Sequence, residues 1–347
     1  MHIKLFGLLL FSFVVPSVAM GCLHGVVDLP KLTREADLIV IGRAASVQEV
    51  EVPKGRRWSV VITVNRAVKG KSDGILTAIL DDPESACYTR VPEVGQLGMC
   101  FLRRADQEYR FISIDSPFIV ASDRECVVTG DDVTRVTAEL SCVIGSPGAT
   151  AREVLDALEA LSSIKTTAGT ESLRRATKTL DHPLDVVAAL CLLNRNDISG
   201  LPIVERELQN SPRLEIKDAT IHSEFAIANS LMGIHDQGAI PALTRLMSSP
   251  DAETRRGAAN ALRNTESVDA VEPLVKALYD PDFDVRWMAV MGLAGIAGPD
   301  SDEKSWYPAR DEFQRNEDLY LEHWRDWARN QAFRPPARPR PKNRWSR

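Results

Sequence analysis

The spacing of apolar residues changes twice along the chain. An unbroken apolar run, Leu5 to Val15 (LFGLLLFSFVV), follows a short basic start. Between residues 38 and 114 the apolar and β-branched residues fall into five short runs: LIVIGRAASV (38–47), WSVVITVNRAV (58–68), ILTAIL (75–80), QLGMCFL (96–102) and YRFISI (109–114). Gly- and Pro-bearing stretches such as VPKG, VKGKSDG and VPEVG separate several of them. Runs of this length and punctuation predict strands. From about Thr150 the period becomes helical, with many alanines and leucines. The pattern therefore predicts an apolar leader, a short helix over 29–36, five strands, and then helices to near the end.

Five strands without intervening helices imply a closed or nearly closed antiparallel barrel, and the OB type is the natural size match. The helical half repeats itself. GAIPALTRLMSSPDAETRRGAANALRN (238–264) aligns with DAVEPLVKALYDPDFDVRWMAVMGLAG (269–295) at a constant offset of 31. Identities fall at Ala239 and Ala270, Leu243 and Leu274, Pro250 and Pro281, Asp251 and Asp282, Arg255 and Arg286, Ala258 and Ala289, and Leu262 and Leu293. Each unit reads as two helices joined by a Pro-Asp turn, whose apolar stripes are buried only by stacking on the next unit. An earlier unit aligns LPIVEREL (201–208) with IPALTRLM (240–247) and FAIANSLMGI (225–234) with the second helix, at the cost of 8 extra residues around 211–220. The aliphatic first helix, the Pro-Asp turn and the arginine opening the second helix resemble HEAT repeats. That resemblance implies a structural ladder of Asp251, Arg255, Asp282 and Arg286, each arginine meeting a neighbouring acid.

The leader is too short to cross a bilayer, which takes about 20 apolar residues, and it has the order of a signal peptide: basic start, apolar run, Pro16, small residues. Cleavage fits before Met20 or before Cys22. Export is therefore expected, to the periplasm or beyond the cell. The expected organisation is a signal peptide over 1–21, a barrel over 22–145, a repeat solenoid with a C-terminal capping helix over 146–332, and a basic Pro-rich tail over 333–347. A formal charge of −6 with interleaved signs gives no field for nucleic acid. The tail, FRPPARPRPKNRWSR, is the exception, with six basic residues, no acid and four prolines; it reads as a solvated cationic extension.

Six cysteines occur in the chain, and export permits disulfides. Sequence does not choose among the pairings. Cys191, in VVAALCLLN, and Cys100, in GMCFL, read as buried thiols. That leaves Cys22 with Cys87 and Cys126 with Cys142 as the preferred pairs. No C-x-x-C or H-E-x-x-H occurs, so no metal site built on local spacing is expected.

From Cys22 to about Ala121 the order of a first cysteine, a helix, ADLIVIGRAASV, a long second strand ending AVKG, Cys87 and VGQLGMCFL resembles the netrin-like OB barrels, which include the N-terminal domain of tissue inhibitors of metalloproteinases. The resemblance implies a Cys22 to Cys87 disulfide and, with cleavage after Gly21, a free Cys22 amine and carbonyl able to chelate a protease zinc. The inhibitors carry a second cysteine two residues later, where this chain has His24. The favoured role for Cys22 is thus a structural disulfide. The same cleavage would create Cys-Leu-His, a terminus whose nitrogens suit square-planar copper or nickel. A lipid anchor at Cys22 is the third, less favoured fate, since Ala19 and Met20 fit a lipobox poorly.

The Tyr320, Trp324 and Trp327 spacing in DLYLEHWRDWARN puts three aromatic residues on one helix face, expected to cap the last repeat. No G-x-S-x-G and no phosphate-cradling glycine loop occurs, and the histidines are scattered. The chain therefore reads as a multidomain protein, an all-β OB-type five-stranded barrel followed by an all-α HEAT-repeat solenoid, acting without cofactor as an exported, non-enzymatic adaptor for a protein partner. Contact positions are expected on the second helices at Arg256, Asn260, Trp287 and Met291. The alternatives are a metalloprotease inhibitor acting through Cys22 and, lacking any cofactor signal, a lyase-like HEAT protein.

Overall fold

The computed structural model describes residues 28–72, 74–82, 90–113, 116–126, 129–210, 213–214, 225–297 and 306–331. The signal peptide, Cys22, His24, Cys87 and the basic tail lie outside the described residues. The chain divides into two compact units between Glu139 and Leu140, and each is described by itself.

The first unit opens with α1 (Leu29–Glu35), capped by Asp28, which accepts from the Lys31 N–H, and started by Pro30 in its first turn. Five strands follow: β1 (Leu38–Val50), β2 (Arg56–Lys69), β3 (Gly74–Asp82), β4 (Leu97–Ala105) and β5 (Glu108–Phe111). They form a closed barrel in the order β1-β2-β3-β5-β4. The barrel is not wholly antiparallel, as the pattern predicted. β3 and β5 run parallel, pairing Ala78 with Tyr109 and Ile79 with Arg110, because the chain crosses over before β5 to close the gap between β3 and β4. Alternation supplies the core: Val60 and Ile62 of β2, Ala78 and Leu80 of β3, and Cys100 and Leu102 of β4 point inward with Trp58 and Phe111. Gly42 sits at a register shift between β1 and β2, and a Cβ there would lie 2.5 Å from the Thr63 carbonyl oxygen. The bend of the longest strand pair therefore needs glycine.

Burial pushes the Cys100 thiol well above the ordinary cysteine range, and the sulfur is free. Cys126 and Cys142 form a disulfide. Within the first unit, Arg66 of β2 grips Glu139, at 3.0 and 2.6 Å, and the Ser122 carbonyl at 2.8 Å. Glu139 lies on α2 (Asp132–Ile144), the helix that contains the division.

The second unit is a helical repeat array. It runs through α3 (Ala151–Ser162), α4 (Thr167–Thr179), α5 (Leu184–Leu193), α6 (Leu201–Asn210), α7 (Ile227–Leu231), α8 (Ile240–Leu246), α9 (Ala252–Asn264), α10 (Val271–Ala277), α11 (Phe283–Ala297), α12 (Arg310–Arg315) and α13 (Glu317–Gln331). Thr150 and Glu153 form a reciprocal capping box that starts α3. α8 packs on α9 and α10 on α11, while α9 lies between α7 and α11. The residues repeated at offset 31 occupy equivalent places. Leu243 and Leu274, Ala258 and Ala289, and Leu262 and Leu293 are all fully buried in one continuous core.

Three turns between repeats share one construction. Asp197, Asp236 and Ser267 each cap a single 3-10 turn, at Ile198–Gly200, Gln237–Ala239 and Val268–Ala270, and each leads into a first helix. The last two are 31 residues apart and the first two 39, which locates the 8 extra residues of the earlier unit. Around that insertion the structure departs from the predicted helix over 225–234. Phe225–Ala226 pairs antiparallel with Arg213–Leu214 instead, and α7 is left with five residues. At the far end Trp324 is fully buried beside Phe313 and Tyr320, and Trp306 stacks flat on His323 with centroids 3.7 Å apart. The aromatic face of α13 is the cap of the array. No helix among the described residues is long and apolar enough to cross a membrane.

Candidate functional site

A solenoid recognises other molecules with the faces its helix rows leave to solvent, so the side chains of the second helices α9 and α11 decide what it can offer. Their starts are fixed by the Pro-Asp turns. Asp251 accepts from the Thr254 N–H at 2.7 Å, and Asp282 from the N–H groups of Asp284 and Val285 at 3.0 and 3.1 Å. One turn on, the two repeated arginines fold back onto the turn that joins their own two helices. Arg255 donates to the carbonyls of Ser249 and Pro250, and Arg286 to those of Asp280 and Pro281. Each also bridges forward. Arg255 holds Asp280 with two hydrogen bonds at 2.8 and 3.1 Å, and Arg286 binds Glu317 of α13. Arg255 and Asp280 are only 11% and 8% exposed. Their hydrogen bonding raises the Arg255 pKa against the pull of burial. The repeated arginines thus bridge to Asp280 and Glu317, while Asp251 caps α9 and Asp282 both caps α11 and receives Arg256 of α9.

The four positions expected to form a contact row divide. Arg256 is held by Asp282, at 2.8 and 2.6 Å. That pairing raises the arginine and holds the Asp282 carboxyl below the usual range. Met291 is 7% exposed, a core residue of α11 and not the contact position expected, because α11 is covered on more than one side and its stripe is wider than the repeat pattern implies. Trp287 is half-buried, packed on the core, with its ring N–H directed at the Pro308 carbonyl at 3.5 Å. Asn260 remains half-exposed on α9.

The residues over Trp287 come from the chain itself. Between α11 and α12, Trp306 to Arg310 runs antiparallel to α11. Trp306 is held by the cap, its carbonyl accepting from the Trp324 ring N–H at 3.3 Å. Tyr307 lies 3.5 Å from Arg263 of α9, whose other nitrogen faces the Met288 sulfur. Pro308 is buried. Arg310 stands over the Phe283 ring and binds Asp284 with Nε and Nη2 at 3.1 and 2.7 Å. No periodicity signals this coverage in the sequence. The only trace is an aromatic, proline-bearing run, WYP, outside both helical patterns.

A second polar region lies along the turn edge, an open cleft of about 910 Å³ lined by Lys165, Arg174, Arg195, Asp197 and His235 among others. Its two arginines and Asp197 are committed to the frame. Arg195 donates to the carbonyls of Leu161 and Thr166, and Arg174 pairs with Asp197. The described residues contain no cluster of His, Cys, Asp and Glu able to hold a metal ion.

A model of the HEAT-repeat family matches residues 216–294, the span of the two well-formed repeats and the end of the insertion. No curated protein matches the chain in sequence. Among solved structures, the complex of CpcE and CpcF of phycocyanin lyase from Nostoc sp. is similar at 16% identity and a TM-score of 0.30, over 55% of this chain and 81% of that one. An engineered protein is similar at 20% identity and a TM-score of 0.31, over 57% of this chain and 62% of its own. A second engineered protein matches at 23% identity and a TM-score of 0.25, over 57% of this chain and 81% of its own. The class defined by the fold and the family match is a closed β-barrel followed by a HEAT-like repeat array.

Proposed function

We propose that this protein is an exported, non-enzymatic adaptor that binds a protein partner along the second-helix face of its repeat array. The observation that carries the reading is the use of charge. Arg174, Arg195, Arg255, Arg256 and Arg286 are tied to caps and inter-repeat bridges rather than converging on a reacting centre. Groups so placed keep a repeat array in register, and a repeat array in register is a binding scaffold. The test is site-specific photocrosslinking in the exporting cell. A photoreactive residue at Asn260 is expected to capture one partner, and one at Lys276, exposed on first helix α10, is expected not to. Equal capture from both positions, or from neither, rejects the reading.

A second reading is supported by the barrel order β1-β2-β3-β5-β4 with α1 ahead of β1. It takes the barrel as netrin-like, with Cys22 bonded to Cys87 and its freed amine directed at a protease zinc. Intact-mass analysis of the mature protein separates the cases. A start at Met20, or a lipid mass on Cys22, removes the inhibitor reading, and a free Cys22 terminus licenses a direct inhibition assay.

A further inference from the structure

Six lysines and arginines lie between 236 and 297, the span of the two well-formed repeats. Five of them meet a carboxylate: Arg245 binds Glu205, Arg255 Asp280, Arg256 Asp282, Lys276 Glu272 and Arg286 Glu317. The sixth, Arg263 near the end of α9, meets none among the described residues. The residue is half-buried, and its guanidinium makes two long contacts, Nη1 to the Met288 sulfur at 3.7 Å and Nη2 to the Tyr307 hydroxyl at 3.5 Å. Arg245, Arg255 and Arg256 hold their acids at 2.6 to 3.1 Å. A charge drawn partly out of water without a counter-ion is unfavourable, and a guanidinium presents a planar fork that a carboxylate fits with two hydrogen bonds.

Large apolar side chains left to solvent stand beside this charge. Tyr307 is 47% exposed and Met232 is 40% exposed. Met232 holds in the preceding repeat the place of Arg263, 31 residues earlier, and its carbonyl accepts from the side-chain amide of Asn264, the residue after Arg263, at 2.9 Å. One turn before Arg263, Asn260 keeps a half-exposed amide on the same helix. Arginine, tyrosine and methionine are residue types enriched where proteins meet, and an arginine set among apolar neighbours is the composition of an interface centre rather than of a solvated rim.

We infer that Arg263 is the anchor of the second-helix face, and that it takes an aspartate or glutamate side chain from a partner segment whose neighbouring residues are apolar and pack on Met232 and Tyr307. The inference rests on the second-helix face being the binding face, and it adds the chemistry of what binds there. Charge complementarity selects the occupant: the repeats satisfy every other cation of this span from within the chain, and the one left over calls for an acid from outside it.

The probe is the synthetic peptide Gly-Ser-Leu-Glu-Leu-Ser-Gly, with a twin in which glutamine replaces glutamate, and the full chain carries a photoreactive benzoylphenylalanine in place of Met232. The yield of peptide crosslinked at that position, below saturation, reads occupancy of this face alone. The acidic peptide is expected to give about 5- to 10-fold more crosslink than its twin. Arg263→Gln is expected to bring the two peptides to the same yield. Lys276→Gln, which removes a cation already paired with Glu272 on α10, is expected to leave the ratio in place. Arg263→Gln breaks no ion pair and no short hydrogen bond, so its melting temperature is expected to match that of the wild type, which separates lost recognition from lost structure. Equal yields from the two peptides, a preference that survives Arg263→Gln, or a melting temperature that falls in Arg263→Gln overturns the inference. So does a crosslink from Met232 into residues 298–305 of the same chain, where Asp300, Asp302 and Glu303 would supply the acid instead. Capture of a partner through Asn260 in cells does not depend on these outcomes, so the anchor and the reading on which it rests fail separately.

Discussion

In the barrel, β1 pairs with both β2 and β4, and the β1–β4 closure joins residues far apart in sequence, Leu38 with Leu102. In the repeat array, α9 packs on α7, α8 and α11, all within a few tens of residues. Breaking one strand pairing in a closed sheet opens ladders on both sides, so the barrel responds as one body. Breaking one interface in a stack of repeats is felt by the neighbouring units and fades beyond them. Stability in the two regions is therefore different in reach even where the buried side chains are alike.

The largest expected effect tests that difference at the end of the array. Trp324 is fully buried among Phe313, Tyr320 and Trp327, and Trp324→Ala is expected to cost about 4 kcal/mol. Hydrogen exchange is expected to accelerate through α10 to α13 while β1 to β4 keep their protection. If the strands accelerate equally, the local character of the array is wrong.

Next is the joint itself. Asp280→Ala leaves Arg255 without its acid in a place only 11% exposed, and removing one member of such a pair costs about 3 kcal/mol. The exposed pair of Lys276 with Glu272 on α10 is the control, and Glu272→Ala is expected to change stability by less than about 0.5 kcal/mol. Denaturant midpoints that move equally in the two variants would falsify the distinction between joint and surface pairs.

Glycines sharpen the comparison through the sign of the effect. Gly257 of α9 lies against α7, and a Cβ there would stand 2.5 Å from the Ala228 carbonyl oxygen. Gly257→Ala is expected to destabilise by about 2 kcal/mol, as overpacking does. Gly295 of α11 has open space at the same atom, and Gly295→Ala is expected to stabilise by about 0.5 to 1 kcal/mol. Opposite shifts in melting temperature are the readout, and shifts of one sign defeat the packing argument.

The two regions are also unequally legible in the sequence. The array announces itself because one period recurs: the residues repeated at offset 31 are those the stack buries or uses as caps, Leu243 with Leu274 and Asp251 with Asp282. The barrel strands are visible as β-rich runs, but the parallel β3–β5 closure is not, since pairing direction leaves no mark on a single strand. Asp280 carries no such mark either, because its repeat partner is Ser249, and no identity points to the acid that Arg255 takes. Coverage of Trp287 by Pro308 is illegible for a related reason. A helix face looks exposed by period whenever what covers it comes from an irregular segment.

The smallest expected effects are those of pH, and they fall on opposite limbs. The Arg256 hydrogen bonds hold the Asp282 carboxyl below its ordinary value. A depressed carboxylate contributes stability that is complete above about pH 3.9, its unfolded value, and that is lost as pH falls through the lower folded one. Tyr320 moves the other way: burial, then the hydrogen bond it donates to Glu312, raises its pKa to about 12. Its contribution is complete below the unfolded value of about 10 and is lost as pH rises through the folded value. The array should therefore loosen at the Arg256 joint in acid and at the cap in alkali. Near-ultraviolet dichroism follows the cap directly, because Trp306 packs edge-on against Tyr320 and Trp324 and Trp327 belong to the same core. In wild type that signal is expected to hold to about pH 10 and to decline toward pH 12. Tyr320→Phe keeps the ring and has no proton to lose, so its alkaline decline is expected to shift upward while the acid limb stays in place. Superimposable alkaline limbs in the two proteins would show that the cap does not titrate through Tyr320.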